Sequence, residues 1–379
     1  MRRAELDFDN ADESIISPGD YLRRELEKRG WTQADLASIL SRDVTGINDI
    51  ITGRRSITLE TARGLADAFN TTVEFWLNLE QSYRLSMLKG PDANVARRAR
   101  LYSLAPITEM IRRGWIEPSN NPDILESQLL RFFDCNSLEE VTDTPIHAAR
   151  KSTSYSGELT PAQRAWLARA KQLSGSVYAA KFETKNVPDV VTRLQLLLHE
   201  PREIRHVPRI LAEAGIRLVI VQPLTNTRID GACLWVGDSP VIALSMRFDR
   251  IDSFWFTLFH ELDHCYKPFA SVDSDMDSAQ SDSDKPKEER EADEFAQMHL
   301  VRKEALDNFI ARKSPIYSST DIAAFAKTMK VHPGIVVGQL QYRRELNWSR
   351  FRKLLVSVRD FIIASTLTDG WGLVVPSLQ

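Results

Sequence analysis

Within residues 254–266, FWFTLFHELDHCY, two histidines stand four positions apart with a glutamate next to the first: His260, Glu261 and His264. The stretch has the apolar density of a buried helix, with Asp252 or Ser253 as its cap and Pro268 beyond its end. On a helix, positions i and i+4 share a face, so His260 and His264 project together at the spacing that grips one Zn²⁺. Glu261 lies beside them, where a carboxylate acts as general base toward water that zinc makes acidic near neutral pH. Two histidines do not complete a catalytic zinc site, so the pattern requires a third ligand, commonly a carboxylate on a second helix. Residue frequencies alone would place such a motif in on the order of one chain in a hundred, so its context decides.

The segment EEREADEFAQMHL, residues 288–300, supplies that second helix. Glu289, Asp293 and Ala296 share one of its faces, and small Ala292 and Ala296 let it approach the histidine helix closely. Glu289 is the expected third ligand, although spacing alone leaves it level with Glu291 and Glu288 together. Asp293, one turn on, is placed to accept the free ring N–H of a liganding histidine and fix its tautomer. Cys265 follows His264 directly, but a neighbour at i+1 points about 100° away on a helix. With Cys135 and Cys233 it makes three widely spaced cysteines, which read as reduced thiols without an assigned role.

The run IDGACLWVGDSPVIALSMRFDRIDSFWFTLFHELDH followed by EREADEFA resembles the ImmA/IrrE family of zinc peptidases, over roughly residues 190–345. The resemblance implies a minimal gluzincin-like fold, two histidines and a glutamate as metal ligands, and a protein substrate. It matches Glu289 and Asp293 to the family's Glu-x-x-x-Asp/Asn spacing and so favours Glu289 as the ligand. HPGIVVGQLQYR, residues 332–343, also resembles the family, which offers His332 as a transition-state or substrate contact; a lone histidine at a helix start is more often structural. Residues 241–246 read either as an edge strand onto which an extended substrate adds or as an internal strand.

A second constraint lies near the N-terminus. TQADLASILSRDVTGINDIITGRRSIT, residues 32–58, fits a helix-turn-helix with a first helix over 32–40, a turn over 41–43 and a second helix over 44–51. Leu36, Ala37, Leu40, Ile47 and Ile50 form the interface between the helices, leaving Gln33, Thr45, Gly46, Asn48 and Asp49 outward. The segment resembles XRE-type regulators, and SPGDYLRRELEKRGWTQADLA with TARGLADAFNTTVEFWLNLEQSYRL resembles HigA-type antitoxins, together over residues 16–88. The implied partner is double-stranded operator DNA, bound by a homodimer. Asn48 suits adenine, Thr45 a base edge or thymine methyl, and Arg54, Arg55 and Gln33 phosphate oxygens. Against this, the second helix carries no Lys or Arg, and Asp43 and Asp49 would repel phosphate. The bland alternative is a helical oligomerisation or partner-binding module.

At 379 residues and 43% hydrophobic content, the chain can form two or three domains. A net charge of -3 neither requires nor excludes nucleic acid, because a local patch matters more. No apolar run approaches the ~20 residues of a membrane span, and no secretory pattern opens the chain, so no membrane partner and a cytoplasmic location are expected. The expected class is multidomain: a flexible arm over 1–15, an all-α helix-turn-helix domain over 16–88, a helical linker over 89–190, an α+β gluzincin-like metallopeptidase domain with a small antiparallel sheet over 191–345, and a C-terminal extension over 346–379. Ser/Asp-rich residues 270–287 read as a mobile surface loop. The expected function is a DNA-binding regulator with a zinc-dependent endopeptidase domain that cuts itself or a partner regulator. The alternative is an antitoxin-like autorepressor whose metal domain senses a ligand or binds a toxin without proteolysis.

Overall fold

The computed structural model describes residues 16–88, 90, 93–143, 159–266, 272–274 and 286–373. The expected N-terminal arm, residues 144–158 of the expected linker and most of the Ser/Asp-rich loop lie outside the described residues. The chain divides into two compact units, Met1–Ala93 and Asn94–Gln379.

The first unit is all-helical: Pro18–Arg29 (α1), Gln33–Ile39 (α2), Val44–Ile51 (α3), Leu59–Phe69 (α4) and Val73–Met87 (α5). Each helix starts where a side-chain oxygen takes over one of its unpaired backbone donors. Ser17, Thr32, Asp43, Thr58 and Thr72 accept from first-turn N–H groups of α1 to α5 in turn. Their apolar stripes meet in a core that includes Leu22, Leu26, Leu36, Ile47, Ile50, Leu65 and Trp76. Gly19 permits the closest crossing, since a Cβ there would lie 2.2 Å from the Ile51 carbonyl oxygen.

The second unit opens with the helices Ala93–Leu104 (α6), Ile107–Arg112 (α7), Pro122–Phe133 (α8), Leu138–Asp143 (α9) and Pro161–Ser174 (α10). Val187–Gln195 (α11) and Val207–Glu213 (α12) lead into strands Arg217–Val221 (β1), Ile229–Val236 (β2) and Ser239–Leu244 (β3). Then come Ile251–Tyr266 (α13), Val272–Ser274 (β4), Lys287–Leu300 (α14), Lys303–Lys313 (α15), Ser319–Met329 (α16), Pro333–Tyr342 (α17), Arg359–Ile363 (α18) and Leu367–Asp369 (β5).

The sheet runs β4-β2-β3-β1-β5 and is mixed, not the small antiparallel sheet expected: β1 is parallel to both β3 and β5, while β2 is antiparallel to β3 and β4. The reason is visible in the strands themselves. Residues 218–221 and 241–244 are apolar at every position, the mark of a sheet covered on both faces. Leu218, Ile220, Cys233, Ile242 and Leu244 enter one core with α11 to α18, whereas Val219, Val221, Ala232, Val241 and Ala243 enter another with α6, α7, α8 and α10.

Two expected domains therefore change status. Within the helical linker expected over 89–190, the described helices α6, α7, α8 and α10 form a packed layer, because Leu101, Met110, Leu125, Leu129, Trp166 and Leu173, with Trp115, share one apolar core with the sheet. The C-terminal extension over 346–379 becomes part of the same unit, with β5 paired to β1 and Val358 and Ile362 in the core. The strand read over 241–246 is β3, Ser239–Leu244, and it is internal; the edge of β2 carries the chain's own β4. Among the described residues no helix is long and apolar enough to cross a membrane.

A buried ion pair locks the helical layer to the last strand. Arg169 of α10 donates from Nε to Asp369 Oδ2 at 2.8 Å, and Trp115 Nε1 donates to Oδ1 at 3.1 Å. Both charged groups are buried, so each depends on the other for solvation. Replacing Arg169 by Met leaves the Asp369 carboxylate without its cation and is expected to cost about 3–5 kcal/mol in the urea unfolding of the second unit. A loss below about 1 kcal/mol would mean that the pair does not anchor the layer.

Candidate metal centre

Helix α13 passes between the sheet and helices α14 and α17, and its residues 254–265 are buried throughout. Opposite sides of one helical turn face different neighbours. His260 and His264 face α14, where Ala292 and Ala296, both fully buried, keep the interhelical gap small enough for a short reach. Glu261 faces β2 at Gly231. A Cβ on that glycine would fall 2.7 Å from Glu261 Oε1 and 2.6 Å from Thr257 Cγ2, so the strand approaches the carboxylate only because residue 231 has no side chain.

The donor atoms of His260, His264 and Glu289 all lie within 4.8 Å of one another, making a buried triad able to hold a metal ion. His260 Nε2 is 3.1 Å from Glu289 Oε2 and 3.2 Å from His264 Nε2, and His264 Nε2 is 3.6 Å from Glu289 Oε1. The edge of a tetrahedron around a metal with bonds of ~2.0–2.1 Å is about 3.3 Å. The separation of the two imidazole nitrogens is close to that edge, the Glu289 carboxylate turns one oxygen toward each histidine, and two imidazoles with one carboxylate are a zinc-type donor set. The residues present therefore fit the ion that the helix spacing predicts.

Asp293 stands behind the triad. Its Oδ1 is 3.0 Å from His260 Nδ1, and its Oδ2 accepts from the Tyr342 hydroxyl at 3.3 Å. With Nδ1 carrying the proton toward Asp293, the Nε2 lone pair of His260 is directed at the other donors. The Phe256 ring stacks on His260, centroids 6.3 Å apart, and packs against Tyr342 at 5.8 Å. Of the competing glutamates, Glu288 and Glu291 are not in the triad.

His332 takes the structural place open to a lone histidine at a helix start. It is the N-cap of α17, where its Nδ1 accepts from the Gly334 N–H at 3.1 Å, and burial pushes its pKa below the ordinary imidazole value. No described contact joins it to the triad. From the same segment Tyr342, which the sequence did not single out, reaches the centre through Asp293; a tyrosine at the end of an apolar helix has no spacing that marks it. Cys265 turns away from the histidines, its Sγ 3.3 Å from Cys233 Sγ. Both cysteines are free thiols, and the hydrogen bond between them, followed by burial, pushes the Cys233 thiol well above its ordinary range.

In the first unit, Thr45, Arg54 and Arg55 are exposed and Gln33 and Asn48 are half-buried. The two aspartates that seemed to oppose an anion have local partners. Asp43 caps α3 and accepts from the Gly46 N–H at 2.5 Å, and Asp49 pairs with Arg54 at 3.0 Å.

A helix-turn-helix family model matches residues 22–76. Virulence-associated protein I of Dichelobacter nodosus is 37% identical over 73 residues, covering 19% of this chain and 68% of that protein. An HTH-type transcriptional regulator of Haemophilus influenzae is 43% identical over 65 residues, covering 17% of this chain and 61% of its own. The matched segment thus spans roughly two thirds of these relatives. A solved addiction module antidote protein of the HigA family from Coxiella burnetii shares 39% identity over 20% of this chain and 83% of its own, with a TM-score of 0.19.

For the metal centre the expected order of effects is definite. Glu289→Gln removes stoichiometric zinc binding, and Asp293→Asn weakens it by roughly 10–100-fold, both read by competition with a chromophoric chelator. Unchanged affinity in both variants would rule out the triad as the binding site.

Proposed function

Residues 22–76 make this chain a member of the helix-turn-helix family, of the XRE type, and from that premise we propose a DNA-binding transcriptional regulator that also carries a zinc-dependent endopeptidase centre. The observation that carries the second half is the buried His260–His264–Glu289 triad, with Glu261 on the same turn of α13.

Zinc, when bound, supplies a Lewis acid that polarises a carbonyl and makes water acidic near neutral pH. The remaining work falls to the chain. Glu261 takes and returns the proton at its carboxylate, held in position by the close backbone of Gly231. Asp293 fixes the tautomer of His260, and Tyr342 orients Asp293. The substrate class is a protein, this chain itself or a partner regulator, as the resemblance to ImmA/IrrE peptidases implies.

A second reading is favoured by one specific observation: all three donors and Glu261 are buried. A metal kept from solvent suits an antitoxin-like autorepressor in which the centre senses a ligand or supports toxin binding without proteolysis.

For the DNA-binding half, α3 enters the major groove with Thr45 and Asn48 toward base edges, while Gln33, Arg54 and Arg55 reach phosphates. Asp49 is paired with Arg54, so Arg54 reaches a phosphate by exchanging that carboxylate for it.

Two experiments test these halves separately. Zinc-loaded full chain and its Glu261→Gln variant are incubated with the candidate repressor and followed by mass spectrometry. The variant is expected to keep its zinc and lose cleavage by at least about 10²-fold; equal cleavage removes Glu261 from the chemistry, and zinc retention without cleavage by either protein favours the second reading. Binding to the chain's own promoter DNA is measured against salt concentration. Arg55→Ala is expected to reduce the salt slope by about 1, and no salt-sensitive binding at low ionic strength would defeat the DNA reading.

A further inference from the structure

Strand β2 is the part of the sheet that meets Glu261, and it does so at Gly231. One edge of β2 is paired with β3. The other edge of such a strand presents backbone N–H and C=O groups that pair with an extended chain laid along it. In this structure that second edge is taken: β4 runs antiparallel along it, with Asp273 opposite Gly231 and Val272 opposite Ala232.

A covering strand has an ordinary purpose, since bare sheet edges invite aggregation. Two features of β4 point further. It pairs with the very residue that lies against Glu261, so it holds the stretch of β2 along which a bound polypeptide would pass that carboxylate. Its hold is also slight: β4 has 3 residues, its register breaks between Ile229 and Gly231, and its central aspartate is a poor strand former. β4 supplies none of the donors of the His260–His264–Glu289 triad, so its departure removes no ligand.

We infer that the outer edge of β2 at Gly231 and Ala232 is a docking edge for an extended polypeptide, and that β4 is the chain's own occupant of it, displaced when a polypeptide binds. A chain paired there lies one strand spacing, about 4.8 Å, from the residue that meets Glu261. This role rests on the peptidase reading for its purpose, but the pairing itself needs no metal. Main-chain hydrogen bonds supply the affinity, so the partner is defined by being unfolded and extended more than by its sequence.

The test uses the full chain after chelation, with fluorescently labelled β-casein as an unfolded polypeptide. The variant is Val272→Pro together with Asp273→Pro. Of two successive strand residues one directs its N–H at the partner strand, so the pair of prolines removes that donor whichever residue carries it. Amide exchange over residues 229–234 is expected to speed up by at least about tenfold in the variant. With the tethered competitor gone, β-casein should bind about tenfold more tightly than to the unaltered chain. Saturating β-casein should also restore slow exchange over 229–234. Unchanged exchange in the variant overturns the inference, and so does faster exchange without tighter β-casein binding, or tighter binding that leaves 229–234 unprotected. Should the double-proline chain fail to fold, Val272→Gly with Asp273→Gly takes its place under the same criteria. Zinc is then restored and β-casein fragments are followed by mass spectrometry. More cleavage by the variant supports the docking edge and the peptidase reading together; tighter binding with no cleavage by either protein supports the docking edge and removes the peptidase reading.

Discussion

Four ionisable side chains, His260, Glu261, Asp263 and His264, lie on one helix in the interior of the second unit, where water cannot solvate them. Burying such groups is costly unless protein partners replace the lost water, and much of the surrounding architecture meets that demand. Helix α14 brings two carboxylates to the histidines because its contact face is built on alanines, and β2 passes close to Glu261 because it carries a glycine. Helix α17 contributes Tyr342 to Asp293. Each element holds its position partly to satisfy a neighbour's polar group, so the members of this network cannot be assigned separate energies.

The parts of this arrangement that follow short-range periodicity were legible in the sequence. Histidines at i and i+4, and Glu289 with Asp293 at the same spacing, define faces without reference to the rest of the fold. The five N-caps of the first unit are equally local, each a Ser, Thr or Asp just ahead of an apolar-periodic run. Tyr342 and Gly231 were not legible, because their roles depend on which elements meet across long stretches of chain. His332 shows the difference well. Its segment does pack beside the centre, but the residue that reaches Asp293 is ten positions further along the helix.

The sheet gives a second lesson of the same kind. Unbroken apolar runs in β1 and β3 fit burial on both faces, but such runs do not say what covers the second face, and the sheet was read as small and antiparallel. The covering helices, α6 to α10, look like a connector when read alone, since their turns and modest length carry no sign of their destination. Trp115, Arg169 and Trp166 resolve the question by bonding to Asp369 and to the Val221 carbonyl. Those partners lie on the sheet, and the most distant is 254 positions away in sequence.

That long reach bears on the order in which the protein is made. The first unit draws its core from residues 22–76 and needs nothing that is synthesised later. The second is incomplete until Asp369 has emerged, because Arg169 and Trp115 wait on it, and β1 has neighbours on only one side until β5 arrives. At typical translation rates this leaves tens of seconds in which a folded helix-turn-helix is tethered to an unfinished second unit. A DNA-contacting surface of this construction would be ready while its companion is still being translated.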